Sequence, residues 1–410
     1  MKAVVFHGLG DIRLDDVREP KLDADTDAIV RITASAICGT DLHFVRGTVP
    51  GVKPGTILGH EGVGIVEEVG RGVRNFKAGD RVVIPSTIAC GACSYCRAGY
   101  HAQCDVANPN GPSAGTAFFG GPKENGGFDG LQAEYARIPF AHAGLVRLPD
   151  DVTDEDAITL SDIFPTGYFA AKLAEIGSGD VVAIFGCGPV GLFAIESARL
   201  LGASRIIAVD RVPSRLELAR SLGAEVVNFD EDDPIAAIHA LTNGIGVDRA
   251  IDAVGVDAEA ASRGPAAAEA KQKREEFARE TQAVAPKTSP EGDNWHPGGA
   301  PSQAVSWAVD ALAKAGTLSV VGVYPQTAEF FPFGKAMNKN LTIKMGNCNH
   351  RHYIPRLIQY VRSGAVDPAR ILTHEGPLPL AIDAYKNFDA RRSGWVKVML
   401  DASGMASAAQ

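Results

Sequence analysis

The sequence predicts an α/β protein that combines a β-rich domain with a second domain built on a doubly wound parallel sheet. A chain of 410 residues is longer than one core usually supports, which favours two or more domains. Residues 1–160 contain short alternating stretches broken by glycine and proline, typical of a small β-barrel-like domain. From about residue 180, apolar runs alternate with helical stretches, which indicates parallel strands joined by helices.

The composition limits the classes of partner. Hydrophobic residues make up 45% of the chain and charged residues 22%, as in ordinary globular proteins. The net charge of −9 argues against nucleic acid or an anionic membrane as the main partner. The chain opens on a strand-like segment without a signal-peptide pattern, and no apolar run has transmembrane length. We therefore expect a cytoplasmic protein.

The β-rich part carries a motif that suits a catalytic metal. A loop rich in proline and glycine separates Cys38 from His60 and can bring the thiolate and the imidazole together. A catalytic zinc ion uses three such protein ligands and keeps one position open. Thr40 and His43 could carry a proton away from a bound alcohol, and Glu61 could support His60 or bind transiently. The alternative is a buried cysteine and a structural histidine that never meet.

Four cysteines form the most specific motif of the sequence. They are Cys90, Cys93, Cys96 and Cys104. Four thiolates at such spacings can close a tetrahedral shell with no open position, which is the mark of a structural zinc site. The alternatives are four unligated, oxidation-prone thiols, or an iron–sulfur cluster, although the spacing is not that of the ferredoxins.

Asp162 is the candidate third ligand of the catalytic metal. An aspartate just before a helix is more often an N-cap, which is the alternative here. Pro165 and the apolar neighbours favour a buried carboxylate, which needs a metal or a positive partner.

A dinucleotide-binding turn follows the first strand of the parallel sheet. Its residues are Gly186, Gly188, Pro189, Val190 and Gly191. The glycines permit close approach of a pyrophosphate, whose charge the helix N-terminus favours. At the end of the next strand, Asp210 favours NAD over NADP because it can accept hydrogen bonds from ribose hydroxyls, whereas Arg211 mildly opposes that preference. The alternative is a turn of this kind that binds no dinucleotide.

The later part of the chain suggests more strands and one unusual segment. Further strands at 225–229, 249–254, 317–324 and 341–346 would give the parallel sheet six strands. We interpret residues 266–284 and the loop after them as a solvated helix and tether, or else as a cover over the dinucleotide crevice that slows cofactor release. His350 and His352 read as loop or surface residues, before a helix that begins near residue 354.

In this order, the motifs resemble the zinc-dependent medium-chain alcohol dehydrogenase family over nearly the whole chain. The resemblance implies a GroES-like catalytic domain, residues 1–163 and 347–410, interrupted by an NAD-binding Rossmann domain, residues 164–346, with an insertion at about 256–303. It implies two zinc ions per chain, one catalytic on Cys38, His60 and Asp162 and one structural on the four clustered cysteines. It also implies a proton relay from Thr40 to His43.

The same resemblance implies further cofactor contacts. They are Thr166, Arg215, Val254, Val323 and Lys397. The stretch from Ser161 to Tyr168 is similar to the branch that contains glutathione-independent formaldehyde dehydrogenase. We therefore expect hydride transfer between an alcohol or aldehyde hydrate and NAD. The alternatives are an aldehyde dismutase that retains NAD and a non-catalytic NAD-binding sensor or structural protein. Relatives form homodimers or homotetramers, and the strand near 317–324 is a possible mating edge.

Overall fold

Two sheets organise the chain in the computed structural model, which describes residues 1–108, 110 and 115–403. The first is seven-stranded and mostly antiparallel, and the second is six-stranded and parallel. This architecture confirms the predicted pairing of a β-rich part with a doubly wound parallel sheet.

The first strands build the antiparallel part. They are β1 (Lys2–Gly8), β2 (Asp11–Asp16), β3 (Ala28–Ile37), β4 (Gly62–Val69), β5 (Arg81–Ile84), β6 (Tyr135–Ile138) and β7 (Val146–Arg147). β1 and β2 form a separate ribbon, while β3 pairs with β4 and β6 in the first sheet. Eight of the ten residues of β3 are buried, so this strand lies in the core and delivers the residue after it, Cys38, to the interior.

Six strands form the parallel sheet, as predicted. They are β8 (Val181–Phe185), β9 (Arg205–Asp210), β10 (Glu225–Asn228), β11 (Val247–Asp252), β12 (Leu312–Val320) and β13 (Thr342–Met345). Their order in the sheet is β10-β9-β8-β11-β12-β13. The strand order reverses between β8 and β11, and ligands of such sheets bind at the carboxyl ends beside this reversal. The prediction of a mating edge near 317–324 is wrong, because β12 is paired on both sides and β13 is the edge strand.

The chain then returns to the first sheet with β14 (His374–Pro377) and β15 (Val398–Asp401). β15 pairs antiparallel with β3, with Met399 opposite Ala36. Strands from the first and the last parts of the described chain therefore share the seven-stranded sheet, and the middle of the chain forms the parallel sheet. The domain limits near residues 163 and 346 stay a prediction.

Fourteen helices are described. They are α1 (Gly39–Arg46), α2 (Ser94–Arg97), α3 (Ala141–Gly144), α4 (Asp154–Ser161), α5 (Ile163–Leu173), α6 (Pro189–Leu200), α7 (Pro213–Ser221), α8 (Pro234–Leu241), α9 (Ala266–Gln272), α10 (Arg274–Val284), α11 (Gln303–Ala311), α12 (Phe333–Asn338), α13 (His350–Arg362) and α14 (Ala381–Asp389). Phe164 of α5 stacks on Phe193 of α6, with ring centroids 4.7 Å apart. This contact packs the helix that follows Asp162 onto the helix that follows the glycine turn. Among the described residues, no helix combines the length and apolar character that a bilayer span requires.

The insertion after β11 is anchored in the first part of the chain. α9 and α10 are followed by residues 286–296, which we call the strap. Trp295 of the strap is 1% exposed and belongs to the core cluster that contains Phe6 and Phe44. The backbone N–H of Trp295 donates to Asp389 of α14 at 2.7 Å. The prediction of a solvated tether is therefore wrong, because a buried tryptophan fixes the strap to the core that β1, α1 and α14 share.

Candidate active site

Three donor side chains from distant parts of the sequence meet at one point. Cys38 follows β3, His60 precedes β4, and Asp162 lies between α4 and α5. Oδ2 of Asp162 lies 3.6 Å from Sγ of Cys38 and 3.2 Å from Nε2 of His60. Donor atoms of these three residues and of Glu61 all lie within 4.8 Å of one another. The alternative in which the cysteine and the histidine never meet is contradicted.

The donor spacing fits a tetrahedral zinc ion. Bonds of about 2.3 Å to sulfur and about 2.0–2.1 Å to nitrogen or oxygen place sulfur and oxygen donors about 3.5 Å apart. The same geometry places nitrogen and oxygen donors about 3.3 Å apart. The observed donor separations of 3.6 and 3.2 Å match these two expected distances. One thiolate, one imidazole and one carboxylate also form the three-ligand set of a catalytic site.

Asp41 holds two of these donors in place. Its Oδ1 lies 3.1 Å from Nδ1 of His60, and its Oδ2 accepts a hydrogen bond from the backbone N–H of Cys38 at 3.0 Å. An imidazole that donates from Nδ1 presents a free Nε2 to a metal. Burial lowers the pKa of His60, but the electrostatic effect of Asp41 and Cys38 and the hydrogen bond with Asp162 outweigh burial, so the pKa lies well above its ordinary value. The surroundings thus favour a positive charge at this point.

Glu61 does not reach the crevice but forms a fully buried ion pair with Lys397. Both side chains have 0% exposure. Nζ of Lys397 donates to Oε1 of Glu61 at 2.7 Å and to the carbonyl of Ile37 at 3.0 Å. Oε2 also lies 2.6 Å from Nζ, but its angle is not that of a hydrogen bond. Burial lowers the pKa of Lys397, but the carboxylate of Glu61 has the larger combined effect and raises that pKa above its ordinary value. The predicted contact between Lys397 and the cofactor is wrong, because the ammonium is enclosed behind Cys38.

The four clustered cysteines form a second site, which we call the lobe (residues 90–104). All four sulfur atoms lie within 4.8 Å of one another, and those of Cys93 and Cys104 are 3.9 Å apart. Two thiolates on one tetrahedral zinc ion lie about 3.8 Å apart. Burial raises the pKa of Cys93, but backbone N–H groups of Cys96 and Asp105 lower it to about 7. Burial raises the pKa of Cys96 and of Cys104, so the fit to a structural zinc ion rests on the close approach of the four sulfur atoms.

A cavity of about 1530 Å³ lies between the two sheets, and we call it the crevice. It reaches from the three donors to the carboxyl ends of β8 and β9. Fifteen of the predicted site residues line it. Ten of them are Cys38, Thr40, His43, His60, Asp162, Thr166, Arg211, Arg215, Val254 and Val323. Gly186, Gly188, Pro189, Val190 and Asp210 also line it. The structure therefore brings the predicted ligands of the catalytic metal and most of the predicted cofactor residues to one surface.

Gly191 lies behind that surface and serves packing. A Cβ added to Gly191 would lie 1.8 Å from the carbonyl oxygen of Gly186. Gly186 itself has a φ of 93°, in the left-handed region that favours glycine. Both glycines are thus required for the tight turn from β8 into α6, whose N-terminus faces the crevice.

Asp210 and Arg211 stand at the end of β9. Oδ2 of Asp210 accepts from the backbone N–H of Cys187 at 2.7 Å, and Oδ1 accepts from those of Arg211 and Val212. The guanidinium of Arg211 donates to the carbonyl of Ala260 in the insertion at 3.4 Å. The carboxylate is held at the rim of the crevice, while the preference for NAD over NADP stays a prediction.

His43 is almost enclosed, with 3% exposure. Its Nδ1 lies 2.6 Å from the Thr48 hydroxyl, and its Nε2 lies 3.7 Å from Oδ2 of Asp257. Burial lowers the pKa of His43, and Asp257 opposes this effect only in part. No direct hydrogen bond joins Thr40 to His43 in the part of the chain that the structure describes. A relay between them needs the bridging cofactor ribose and stays a prediction.

His350 is a residue whose place the sequence did not reveal. It is buried at 3% exposure, so its interpretation as a loop or surface residue is wrong. It is the first residue of α13, which begins four residues earlier than expected. Its Nε2 lies 2.6 Å from Oδ1 of Asp162. No local feature of the sequence distinguishes it from the exposed His352.

Comparisons of this chain with family models and with known proteins agree with one another. Residues 24–150 match the family described as alcohol dehydrogenase GroES-like domain, and residues 189–264 match the family described as zinc-binding dehydrogenase. The chain is 37% identical to an uncharacterized zinc-type alcohol dehydrogenase-like protein of Bacillus subtilis over 98% of this chain and 100% of that protein. It is 35% identical to an alcohol dehydrogenase of Cupriavidus necator, with 98% of each chain covered.

A solved structure agrees over the same length. The alcohol dehydrogenase TADH from Thermus sp. ATN1 superposes with a TM-score of 0.79 at 36% identity, covering 98% of this chain and 99% of that one. The glutathione-independent formaldehyde dehydrogenase of Pseudomonas aeruginosa is 40% identical, but over only 63% of this chain and 66% of that protein.

Proposed function

Because the chain belongs to the zinc-type medium-chain alcohol dehydrogenase family, we propose that it transfers hydride between a small alcohol or aldehyde hydrate and NAD. The observation that carries this proposal is the meeting of Cys38, His60 and Asp162 at the wall of the crevice, with donor separations that suit zinc. The same crevice runs to the glycine turn before α6, where a dinucleotide pyrophosphate would lie.

The donors would hold a catalytic zinc ion, and the lobe would hold a structural one. Bound zinc supplies Lewis-acid chemistry that makes a substrate hydroxyl more acidic. Cys38 and Asp162 offer two negative charges to a dication, and Asp41 keeps Nε2 of His60 available through Nδ1. Thr40, on the first turn of α1, faces the crevice between the donors and the cofactor site.

The remaining residues would orient the cofactor and move the proton. The N-terminus of α6 favours the pyrophosphate charge, and the carboxylate of Asp210 stands where a ribose would bind. Bound NAD would supply the hydride acceptor. Burial lowers the pKa of His43, so its imidazole would be neutral near pH 7 and could accept a proton released at the part of the crevice that Thr40 lines.

For the substrate we propose an alcohol or aldehyde hydrate of the formaldehyde-active branch. This rests on the stretch from Ser161 to Tyr168 and on the partial similarity to the Pseudomonas aeruginosa enzyme. A second candidate is an aldehyde dismutase that keeps its NAD. The insertion favours it, because Pro286 and Lys287 of the strap line the crevice while Trp295 anchors the strap. A non-catalytic NAD-binding sensor or structural protein is disfavoured by the complete donor set.

We further propose a cytoplasmic homodimer or homotetramer, with domain limits near residues 163 and 346. The edge strand β13 offers unpaired backbone groups, and Met345 in it is 64% exposed. Phe333 and Met337 of the adjacent α12 are 73% and 74% exposed. Apolar side chains beside a free sheet edge are typical of a surface that a second copy covers.

One set of assays tests the function. The purified protein is analysed for zinc and for NAD released on denaturation, and NADH formation is followed with formaldehyde, ethanol and longer alcohols. A dehydrogenase releases NADH, whereas a dismutase converts formaldehyde without net NADH and retains its NAD. Cys38→Ala and Asp162→Ala are expected to abolish turnover while the circular dichroism spectrum and NAD binding persist. Substantial turnover in either variant would refute the ligand assignment.

A further inference from the structure

We propose that His350 is a positioning residue that restricts Asp162 to one free oxygen, so that this carboxylate binds the catalytic zinc through Oδ2 alone. The inference rests on the proposed metal site and adds to it a residue outside the set of donors. His350 belongs to α13 and is brought to Asp162 from the far end of the chain.

The two oxygens of Asp162 have different partners. Oδ1 lies 2.6 Å from Nε2 of His350 and accepts a hydrogen bond from the Thr166 hydroxyl at 2.9 Å. Oδ2 faces Sγ of Cys38 and Nε2 of His60 at 3.6 and 3.2 Å. Oδ1 is therefore engaged on the protein side, while Oδ2 points to the zinc position.

His350 is itself held on its other side. Nδ1 lies 3.2 Å from the hydroxyl of Thr87, and the ring is 3% exposed. A neutral imidazole that donates from Nε2 to a carboxylate accepts at Nδ1, and the Thr87 hydroxyl can supply that proton. The residue before it, Asn349, accepts a hydrogen bond from the backbone N–H of Ala102 in the lobe at 2.9 Å. The imidazole thus has a fixed ring plane and a fixed position.

A carboxylate ligand needs such a restraint more than a thiolate does. A thiolate offers one donor atom, whereas an unrestrained carboxylate can bind with both oxygens or rotate between them. The second oxygen would then occupy the position that a substrate hydroxyl needs. Because His350 and Thr166 both engage Oδ1, the position beside His60 and Cys38 stays open to the crevice.

The experiment compares His350→Leu with His352→Leu in the full chain loaded with zinc. His352 lies two residues further along α13 and is exposed, so it is a matched control. Zinc affinity is measured by competition with a colorimetric chelator. Loss of a residue that supports a metal ligand typically weakens metal binding by about 10–100-fold. We expect that loss for one of the two zinc ions in His350→Leu and no change for the lobe zinc or for His352→Leu.

Two further readouts separate positioning from general damage. In the cobalt-substituted protein, His350→Leu is expected to change the visible absorption bands of the catalytic ion, because the coordination by Asp162 changes. His350→Gln keeps a donor and should restore most of the zinc affinity. Thr87→Val removes the hydroxyl partner of His350 and should weaken the binding of the same zinc ion by a smaller factor. This variant replaces His350→Leu in the test if His350→Leu does not fold.

The inference is overturned if His350→Leu, or Thr87→Val in its place, binds both zinc ions as the wild type does and has an unchanged cobalt spectrum. A different result would overturn the proposed function itself. If the wild-type chain retains zinc only in the lobe, no catalytic ion exists for Asp162 to bind. The number of zinc ions on the wild-type chain therefore distinguishes the two failures.

Discussion

Replacing Lys397 by methionine tests the fully buried ion pair with Glu61. The substitution keeps an unbranched apolar side chain but removes the ammonium, which also donates to the carbonyl of Ile37 next to Cys38. Glu61 then stays buried at 0% exposure with no positive partner at hydrogen-bonding distance among its described contacts. Breaking a buried pair on one side typically costs about 3–5 kcal/mol of unfolding free energy.

That free energy corresponds to a large change in the unfolding temperature. About 1 kcal/mol shifts the midpoint of a domain of 150–250 residues by about 2–4 °C, so Lys397→Met should lower it by roughly 6–20 °C. The loss should depend on pH. Burial raises the pKa of Glu61, and removing Lys397 removes the opposing effect. The folded variant then takes up a proton more readily than the unfolded chain, so the deficit is largest at neutral and higher pH and shrinks as the pH falls.

The assay is thermal and urea-induced unfolding of the wild type, Lys397→Met, Glu61→Gln and the double variant between pH 5 and 8. Contacting residues of one ion pair show coupling energies of about 0.5–3 kcal/mol in such a cycle. We expect a coupling at the upper end of this range, since neither charge is exposed. Additive effects within about 0.5 kcal/mol, or a deficit that does not vary with pH, would refute the ion-pair reasoning.

Three other predictions concern the cofactor turn, the proton path and the metal. Gly191→Ala should abolish NAD binding measured by fluorescence titration, since its Cβ would lie 1.8 Å from the Gly186 carbonyl oxygen; binding within threefold of wild type would contradict the packing role. Asp257→Asn removes the carboxylate that raises the pKa of His43, so the acid limb of the kcat/KM profile should move to lower pH, whereas the exposed control Asp293→Asn should not move it. Dialysis against a chelator should remove turnover, and zinc should restore it; full activity of zinc-free protein would exclude a zinc-dependent reaction.

Much of the fold and of the candidate site could be predicted because the signals are local. The alternating strands before residue 160, the apolar runs after residue 180 and the glycine turn each follow from periodicity or from backbone requirements. The lobe cysteines are adjacent enough in sequence for their spacing to indicate one site. The loop between Cys38 and His60 predicted that these two side chains meet. The distances from Asp162 Oδ2 to Cys38 Sγ and His60 Nε2 show that all three converge.

The errors concern contacts that only the tertiary structure creates. His350 has no local feature that distinguishes it from the exposed His352, and its partner Asp162 is remote in the sequence. The family resemblance implied a cofactor contact for Lys397, and nothing in its own segment shows that it forms a buried ion pair with Glu61. The strap has few apolar residues, so the burial of Trp295 could not be inferred from its composition. The edge of the parallel sheet depends on strand order, which helix and strand patterns do not reveal.

The hydrogen bond from Ala102 to Asn349 connects the lobe to the residue that precedes His350. If the lobe holds the proposed structural zinc ion, an oxidant that converts its thiolates into disulfides would release that ion and loosen the loop that carries Ala102. The start of α13 would then lose an anchor, and His350 would shift against Asp162. Oxidation of the lobe would then impair the catalytic metal site at a distance from the oxidised sulfur atoms. Recovery of that site would require both a reductant and zinc.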